Sequence, residues 1–302
     1  MRIGVDLGGT SIKVGLVSDN GIIVNKLAVP TGAHRDVTEI CNDIADAIRK
    51  TADGNDFSGI GIGSPGMVDN ASGTVLRANN FAHNPLRLKD EISKAFPKIP
   101  VAVDNDASCA ALAESLYGAA IGAGLSILIT LGTGVGCGIV QDGKLWRGAQ
   151  NKGGELGHMV VHTNGESCTC GRKGCLEAYA SATALIRDTT REAKEGSLIY
   201  KTVNGDLSKI TAKTPFDLAK QGDPTCIAIV NNYLHYLSEG IANISNLFNP
   251  ECIILGGGVS NEGTALTDRL SLLIQDKCFS NPPRIIKAAL GNDAGIIGAA
   301  SL

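Results

Sequence analysis

The chain has 302 residues, 43% of them hydrophobic, enough to bury the cores of two domains of ordinary size. Its 27 basic and 30 acidic residues leave a formal net charge of -3 with no Lys/Arg-rich tract. That balance excludes a dedicated nucleic-acid surface and leaves small molecules as the expected partners. No apolar run reaches membrane-spanning length, residues 1–7 read as a strand rather than a signal peptide, and the nine cysteines are an odd number. A reducing, cytoplasmic location with no membrane partner is expected.

The first strand, residues 2–7, ends in Asp6-Leu7-Gly8-Gly9-Thr10-Ser11, and a second apolar run, Ile12–Val17, follows at once. A strand, a glycine turn and a strand make a hairpin. Backbone N–H groups and hydroxyls exposed at such a turn can hold phosphate oxygens, and Lys13 adds positive charge. Residues 36–51 read as a helix with Val37, Ile40, Ile44, Ala47 and Ile48 on one face. Gly61-x-Gly63-x-x-Gly66 has the spacing of a dinucleotide fingerprint but holds Pro65, and Met67–Asn70 opens a turn where a helix is required. Ser64-Pro65-Gly66 is instead a loop ending the strand 59–63. Asn79-Asn80-Phe81 is a polar loop, and residues 87–95 a short helix.

After a strand at Val101–Val103, Asp104-Asn105-Asp106 caps a helix over residues 107–117. A carboxylate where a strand ends and a helix begins stands at the usual mouth of an α/β cleft. Asp106 is therefore a candidate to take a proton from a hydroxyl, against the plainer reading that both aspartates only cap the helix. Residues 127–140 then repeat the opening plan, a strand, the turn Gly132-Thr133-Gly134 with Gly136 just beyond, and a strand. The repeat suggests two similar domains with both turns aimed at one nucleotide. No P-loop sequence is present. Trp146, the one tryptophan, is expected to pack near the turn Asp142-Gly143.

Residues 153–177 carry the densest chemistry: Glu155, His158, His162, Glu166 and Glu177, with cysteines as Cys168-x-Cys170-x4-Cys175. Gly171 and Gly174 let the chain turn back so that three thiolates point at one centre. Zinc is the default metal for three thiolates and an imidazole, and either His158 or His162 can supply the fourth ligand. The plainer alternative is three buried thiols. Downstream, residues 182–195 read as a helix and 204–224 as loop with a short helix. A long amphipathic helix over 225–248 is stopped by Pro250. The strand 251–255 runs into Gly256-Gly257-Gly258, which lets backbone approach a nucleoside. A last strand at 285–290 and a helix at 293–300 close the chain.

Taken together, Asp6-Leu-Gly-Gly-Thr10, Asn105-Asp106-Ala107, Leu131-Gly-Thr-Gly-Val-Gly136, Gly154-Glu-Leu-Gly-His158 and Cys168-x-Cys-Gly-x-x-Gly-Cys-Leu-Glu177 resemble the ROK family of sugar kinases and repressors. Leu255–Gly258 and Leu290–Gly295 extend the resemblance to the end of the chain. It implies a two-domain α/β, actin-like (ribonuclease-H-like, ASKHA) fold with ATP and sugar in the interdomain cleft. The expected limits are 1–117 with about 291–302 for a small domain and 118–290 for a larger one carrying zinc.

By the same resemblance Asp106 is the general base on the 6-hydroxyl of a hexose. Asn80, Asn105, Glu155, His158 and Glu177 surround the sugar, and His158, Cys168, Cys170 and Cys175 hold a structural zinc. Asp6 positions the magnesium of Mg-ATP, while Gly8, Gly9, Thr10, Ser11, Lys13, Gly132, Thr133, Gly134, Gly136 and Gly256–Gly258 contact ATP. The sequence is most similar to bacterial glucokinases. N-acetylmannosamine and N-acetylglucosamine kinases are the alternatives, and a homodimer is expected. The family's repressors carry a DNA-binding element before the first strand, which here starts at residue 2, so a repressor is the weaker expectation. A non-catalytic sugar sensor is weaker too, given Asp106 and both turns.

Overall fold

The computed structural model describes residues Met1–Leu302. Twelve strands form two five-stranded sheets and a small hairpin. The first sheet comprises β1 (Arg2–Leu7), β2 (Ser11–Val17), β3 (Ile23–Pro30), β4 (Ile60–Ser64) and, after the hairpin strands β5 (Met67–Asp69) and β6 (Thr74–Arg77), β7 (Val101–Asn105). The second comprises β8 (Leu125–Leu131), β9 (Val135–Gln141), β10 (Lys144–Leu145), β11 (Cys252–Gly256) and β12 (Arg284–Lys287). The orders are β3-β2-β1-β4-β7 and β10-β9-β8-β11-β12. Counted within each sheet, both read third-second-first-fourth-fifth. In the first sheet β1, β2 and β3 pair antiparallel, and β4 and β7 join β1 in parallel. The strand–turn–strand repeat legible in the sequence is thus the start of a repeated five-stranded sheet.

The helices are α1 (Val37–Ala52), α2 (Leu88–Ala95), α3 (Asp106–Tyr117), α4 (Glu177–Ala180), α5 (Ala182–Glu192), α6 (Leu198–Thr202), α7 (Thr214–Lys220), α8 (Pro224–Phe248), α9 (Thr264–Leu273) and α10 (Ala294–Ala300). The chain divides into two compact units. One is Met1–Leu128 with Gly138–Gly154 and Ala289–Leu302, and the other is Ile129–Cys137 with Glu155–Ala288. None of the helices is long and apolar enough to cross a membrane.

In the first unit α1 starts at Asp36, whose side chain accepts the Thr38 N–H, and ends at Asp53 in the left-handed region. Ile40, Ile44 and Ile48, each four residues apart, lie fully buried against Ile3, Val5 and Leu7 of β1 and Ile12, Val14 and Leu16 of β2. Burying each such side chain contributes about 1.5–3 kcal/mol. The opposite face of β1 and β4 receives α10 at close range. A Cβ at Gly4 or Gly61 would run into the backbone carbonyls of Ile296 and Ala299, so glycine there sets the helix-to-sheet distance. In the second unit α8 packs against α4, α5, α7 and α9. It opens with Pro224 at its first turn under an Asp223 cap and closes at Asn249, at φ 47°, directly before Pro250.

One local expectation is corrected. Met67–Asp69 is not the start of a turn but a strand paired with Thr74–Arg77; three residues are too few to show an alternation. The ring of Trp146 lies beside Gly148 and Gly153, while the side chain nearest a Cβ at Gly143 is that of Leu116.

Candidate functional site

In the first unit the β1–β2 register places Asp6 opposite Lys13, and the antiparallel pleat brings both side chains to one face. Lys13 Nζ lies 3.0 Å from Asp6 Oδ2. The turn between them is closed by Gly8 N–H donating to the Ser11 carbonyl at 3.0 Å. Buried Thr31, at the end of β3, donates its hydroxyl to the Gly8 carbonyl at 2.7 Å and its N–H to the Thr10 carbonyl at 3.1 Å. Thr31 supports the turn without belonging to its motif, and nothing in the sequence signals it. Asn80 stands against the same turn: a Cβ at Gly9 would lie 3.1 Å from the Asn80 Cβ.

The Asp104–Asp106 corner differs from the sequence expectation. Asn105 alone is the N-cap of α3; its Oδ1 accepts the N–H groups of Ala107 and Ser108, and its Nδ2 donates to the Gly66 carbonyl at 3.2 Å. Asp104 does not cap. It is 3% exposed and paired with Arg147 at 2.7 Å. Asp106 is the first helical residue and half-buried, with its own Oδ1 accepting Ala107 N–H at 2.9 Å. Burial raises the Asp106 carboxyl above its usual value and neighbouring Asp6 adds to the rise, while the Ala107 N–H opposes it.

In the second unit the turn after β8 is tied at several points. Gly132 N–H donates to the Gly134 carbonyl at 3.1 Å, Ala182 N–H donates to the Gly132 carbonyl at 2.8 Å, and Thr183 Oγ1 donates to the Thr133 carbonyl at 2.7 Å. Gly136 continues into β9. Glu177, first residue of α4, accepts the Val135 N–H at 3.1 Å. Gly257 has φ 81°, and a Cβ there would lie 2.5 Å from the Leu131 carbonyl oxygen. The segment Gly256–Gly258 therefore touches the end of β8, immediately before Gly132.

His158, Cys168, Cys170 and Cys175 present four ligand atoms that all lie within 4.8 Å of one another. Gly171 and Gly174, at φ 90° and 80°, make the reversals that bring them together. Cys170 and Cys175 sulfurs are 3.7 Å apart, and Cys168 Sγ is 3.6 Å from His158 Nδ1. A tetrahedron with sulfur at about 2.3 Å and nitrogen at about 2.0 Å from zinc has sulfur–sulfur edges of about 3.8 Å and sulfur–nitrogen edges of about 3.5 Å. The two observed edges match those of a zinc site. The geometry also decides between the histidines. His162 is turned away, its Nδ1 2.9 Å from the Tyr236 hydroxyl and its ring stacked on Tyr236. Glu155 lies one short turn before the group, its carbonyl accepting the His158 N–H at 3.0 Å. Glu177 reaches it through Thr169 Oγ1, 3.2 Å from Oε1.

The doubled sheet with glycine turns at both first strands defines an α/β protein of the actin-like, ribonuclease-H-like class, here with a four-ligand, zinc-type group. The chain belongs to the ROK family, whose sequence model matches residues 2–302. It is 40% identical to a glucokinase of Thermotoga maritima, over 99% of this chain and 96% of the relative. It is 31% identical to a xylose repressor of Caldicellulosiruptor bescii, over 92% of this chain and 70% of that protein. Its structure is similar to that of a ROK family glucokinase from Streptomyces griseus in complex with glucose and AMPPNP, with a TM-score of 0.84 and 35% identity over 99% and 98% of the two chains.

Proposed function

We propose that the protein transfers the γ-phosphoryl group of Mg-ATP to the 6-hydroxyl of a hexose, with glucose as the first choice of substrate. The observation that carries this reading is Asp106, a half-buried carboxylate at the first turn of α3 whose proton affinity is raised by burial. A base titrating nearer the working pH takes a proton more effectively than an ordinary surface carboxylate, and such catalysis contributes ~10²–10⁴-fold. The glucokinase relatives and the glucose-bound, AMPPNP-bound neighbour support glucose and ATP as the pair.

In this mechanism Asp106 accepts the proton of the attacking hydroxyl. Asp6 positions magnesium, and its partner Lys13 faces the phosphates. The turns at Gly8–Ser11 and Gly132–Gly136 hold phosphate oxygens with their N–H groups, and Gly256–Gly258 lines the nucleoside. Positioning and charge neutralisation are most of what phosphoryl transfer requires. Asn80, Asn105, Glu155, His158 and Glu177 hold the sugar. Asn105 does so with what its cap and its bond to Gly66 leave over. His158, Cys168, Cys170 and Cys175 would hold zinc, which fixes the imidazole tautomer. Nδ1 faces the sulfurs, so Nε2–H is the donor left for the sugar. The chain acts in the cytoplasm as a homodimer in this proposal, and light scattering tests the dimer.

A coupled ADP-release assay with Mg-ATP tests the reading against glucose, mannose, N-acetylmannosamine, N-acetylglucosamine and fructose. Preference for glucose supports it. Preference for an N-acetyl sugar keeps the chemistry and moves the substrate. No turnover with zinc-loaded protein overturns it in favour of a sugar-binding regulator, the role that the name of the repressor relative brings to mind.

A further inference from the structure

Arg147 belongs to no motif, yet it grips the base-bearing corner. Its Nε and Nη2 both lie 2.7 Å from one oxygen, Oδ2 of Asp104. The other oxygen of Asp104 accepts the Asn105 N–H at 2.8 Å. Asp104 is the residue of β7 aligned with Gly63 of β4, and Asp106 stands two positions on. The peptide carrying Asp106 is therefore anchored below by a charge pair and above by the Asn105 cap. Arg147 has a second grip: its carbonyl accepts the Gly153 N–H at 2.8 Å, two residues before Glu155. One residue thus holds both the base corner, through its side chain, and the chain leading into Glu155, through its backbone.

A guanidinium suits this place for two reasons. Its rigid fork fixes direction where an ammonium would supply only a point charge. It also neutralises a carboxylate in a crowded acidic neighbourhood. Asp6 on β1, with its partner Lys13 on β2, and Asp104, Asp106 and the buried Cys109 thiol all face the same region. Arg147 is paired with Asp104 and Lys13 with Asp6, so the two cations of this corner each have a carboxylate partner other than Asp106.

We infer that Arg147, acting through Asp104, is a positioning residue for the phosphoryl-transfer step: it fixes the strand-to-helix corner from which Asp106 works. The inference rests on the reading of Asp106 as the base. A displacement of about 1 Å in such a group costs about 10²-fold in turnover while leaving ground-state binding in place.

The test is a kinetic cycle on the full-length, zinc-loaded enzyme with Arg147→Ala, Asp104→Asn, the double variant, Arg147→Lys and Asp106→Asn. Arg147→Ala is expected to lower kcat by about 30–100-fold while KM for hexose and for ATP stays within about threefold. Arg147→Lys is expected to recover part of the loss. The double variant is expected to be no slower than Arg147→Ala alone, because both changes cut one linkage. Losses that multiply in the double variant, or a kcat within about threefold of wild type in Arg147→Ala, overturn the inference. If Arg147→Ala does not fold, as judged by thermal unfolding and zinc content, the kcat-against-KM split in Arg147→Lys and Asp104→Asn decides, and an unchanged kcat in both overturns it. Asp106→Asn separates the two levels. Should it keep its turnover, the base reading falls; should it lose turnover while the Arg147 and Asp104 variants keep theirs, only the positioning role falls.

Discussion

The Glu177 carboxylate accepts the Val135 N–H at 3.1 Å while its other oxygen takes the Thr169 hydroxyl at 3.2 Å. One side chain therefore joins the cysteine loop to the turn after β8, and Gly134 leaves room for it, since a Cβ there would meet Oε2. If Glu177 binds sugar and also shapes a phosphate turn, its loss affects both substrates. Glu177→Ala is expected to raise KM for hexose and for ATP together, each by about 10-fold or more, the cost of a lost charged hydrogen bond. Glu177→Gln keeps an acceptor for Val135 and is expected to spare ATP while weakening sugar binding. Initial-rate kinetics with each substrate varied separately would show it, and an ATP KM unchanged in Glu177→Ala would count against the shared role.

The four-ligand group makes a prediction independent of turnover. Cys170 is exposed, so Cys170→Ser alters a ligand without opening a cavity in the core. It is expected to reduce bound zinc well below one ion per chain and to lower the melting temperature. Hexose affinity should fall by about 10–100-fold, because the imidazole of His158 loses its fixed orientation. Metal analysis and calorimetric sugar titration measure the two effects. His162→Ala, by contrast, is expected to retain zinc, since that ring is bound to Tyr236 instead.

Gly257 combines a positive φ of 81° with a carbonyl 2.5 Å from where its Cβ would stand. Both faults act on Gly257→Ala, so a stability loss of about 1–3 kcal/mol is expected, with a raised KM for ATP. Gly258→Ala is the control, because nothing lies within 4 Å of its Cβ position and its φ is not in the positive range. Equal melting temperatures for the two variants would show that the close approach to Leu131 does not matter in solution.

The parts of the fold legible in the sequence were those written in local chemistry. The two glycine turns between apolar runs announced the repeated sheet, and the cysteine spacing with Gly171 and Gly174 announced the metal group. The long helix α8 showed its length through its amphipathic period and through Pro250, which follows the Asn249 cap directly. Short or exposed strands were silent. β3 lies at the edge of its sheet, with Val24 58% exposed, and the strands of the hairpin at Met67–Arg77 are too short for a period to show. The sequence singled out Asp106 as a candidate base but left open the reading that Asp104 and Asp106 both only cap the helix. Only the fold separates them, by bringing Arg147 from 43 positions away to one and leaving the other beside Asp6. Such pairings have no local signature, which is why Thr31 and Arg147 went unread.

Protonation of Asp106 ties both activity and stability to pH. Burial raises its proton affinity in the folded protein above the unfolded value near 3.9, with Asp6 adding to the rise. The working form of a base is the carboxylate, so kcat is expected to fall as pH drops through this raised value, above the range of an ordinary aspartate. Stability runs the other way. The folded state binds the Asp106 proton more tightly than the unfolded chain does, so this residue's contribution is fully present below the unfolded value and is lost as pH rises through the folded one. At neutral pH the buried charge is a cost. Asp106→Asn removes that cost and is expected to raise the melting temperature at pH 7 while lowering kcat by about 10²–10⁴-fold. The stability gain should shrink as the pH is brought down toward 4, where wild type protonates the same group. Melting curves of both proteins between pH 4 and 8 would measure this, and a gain that stayed constant across the range would mean that the charge on Asp106 is not its source.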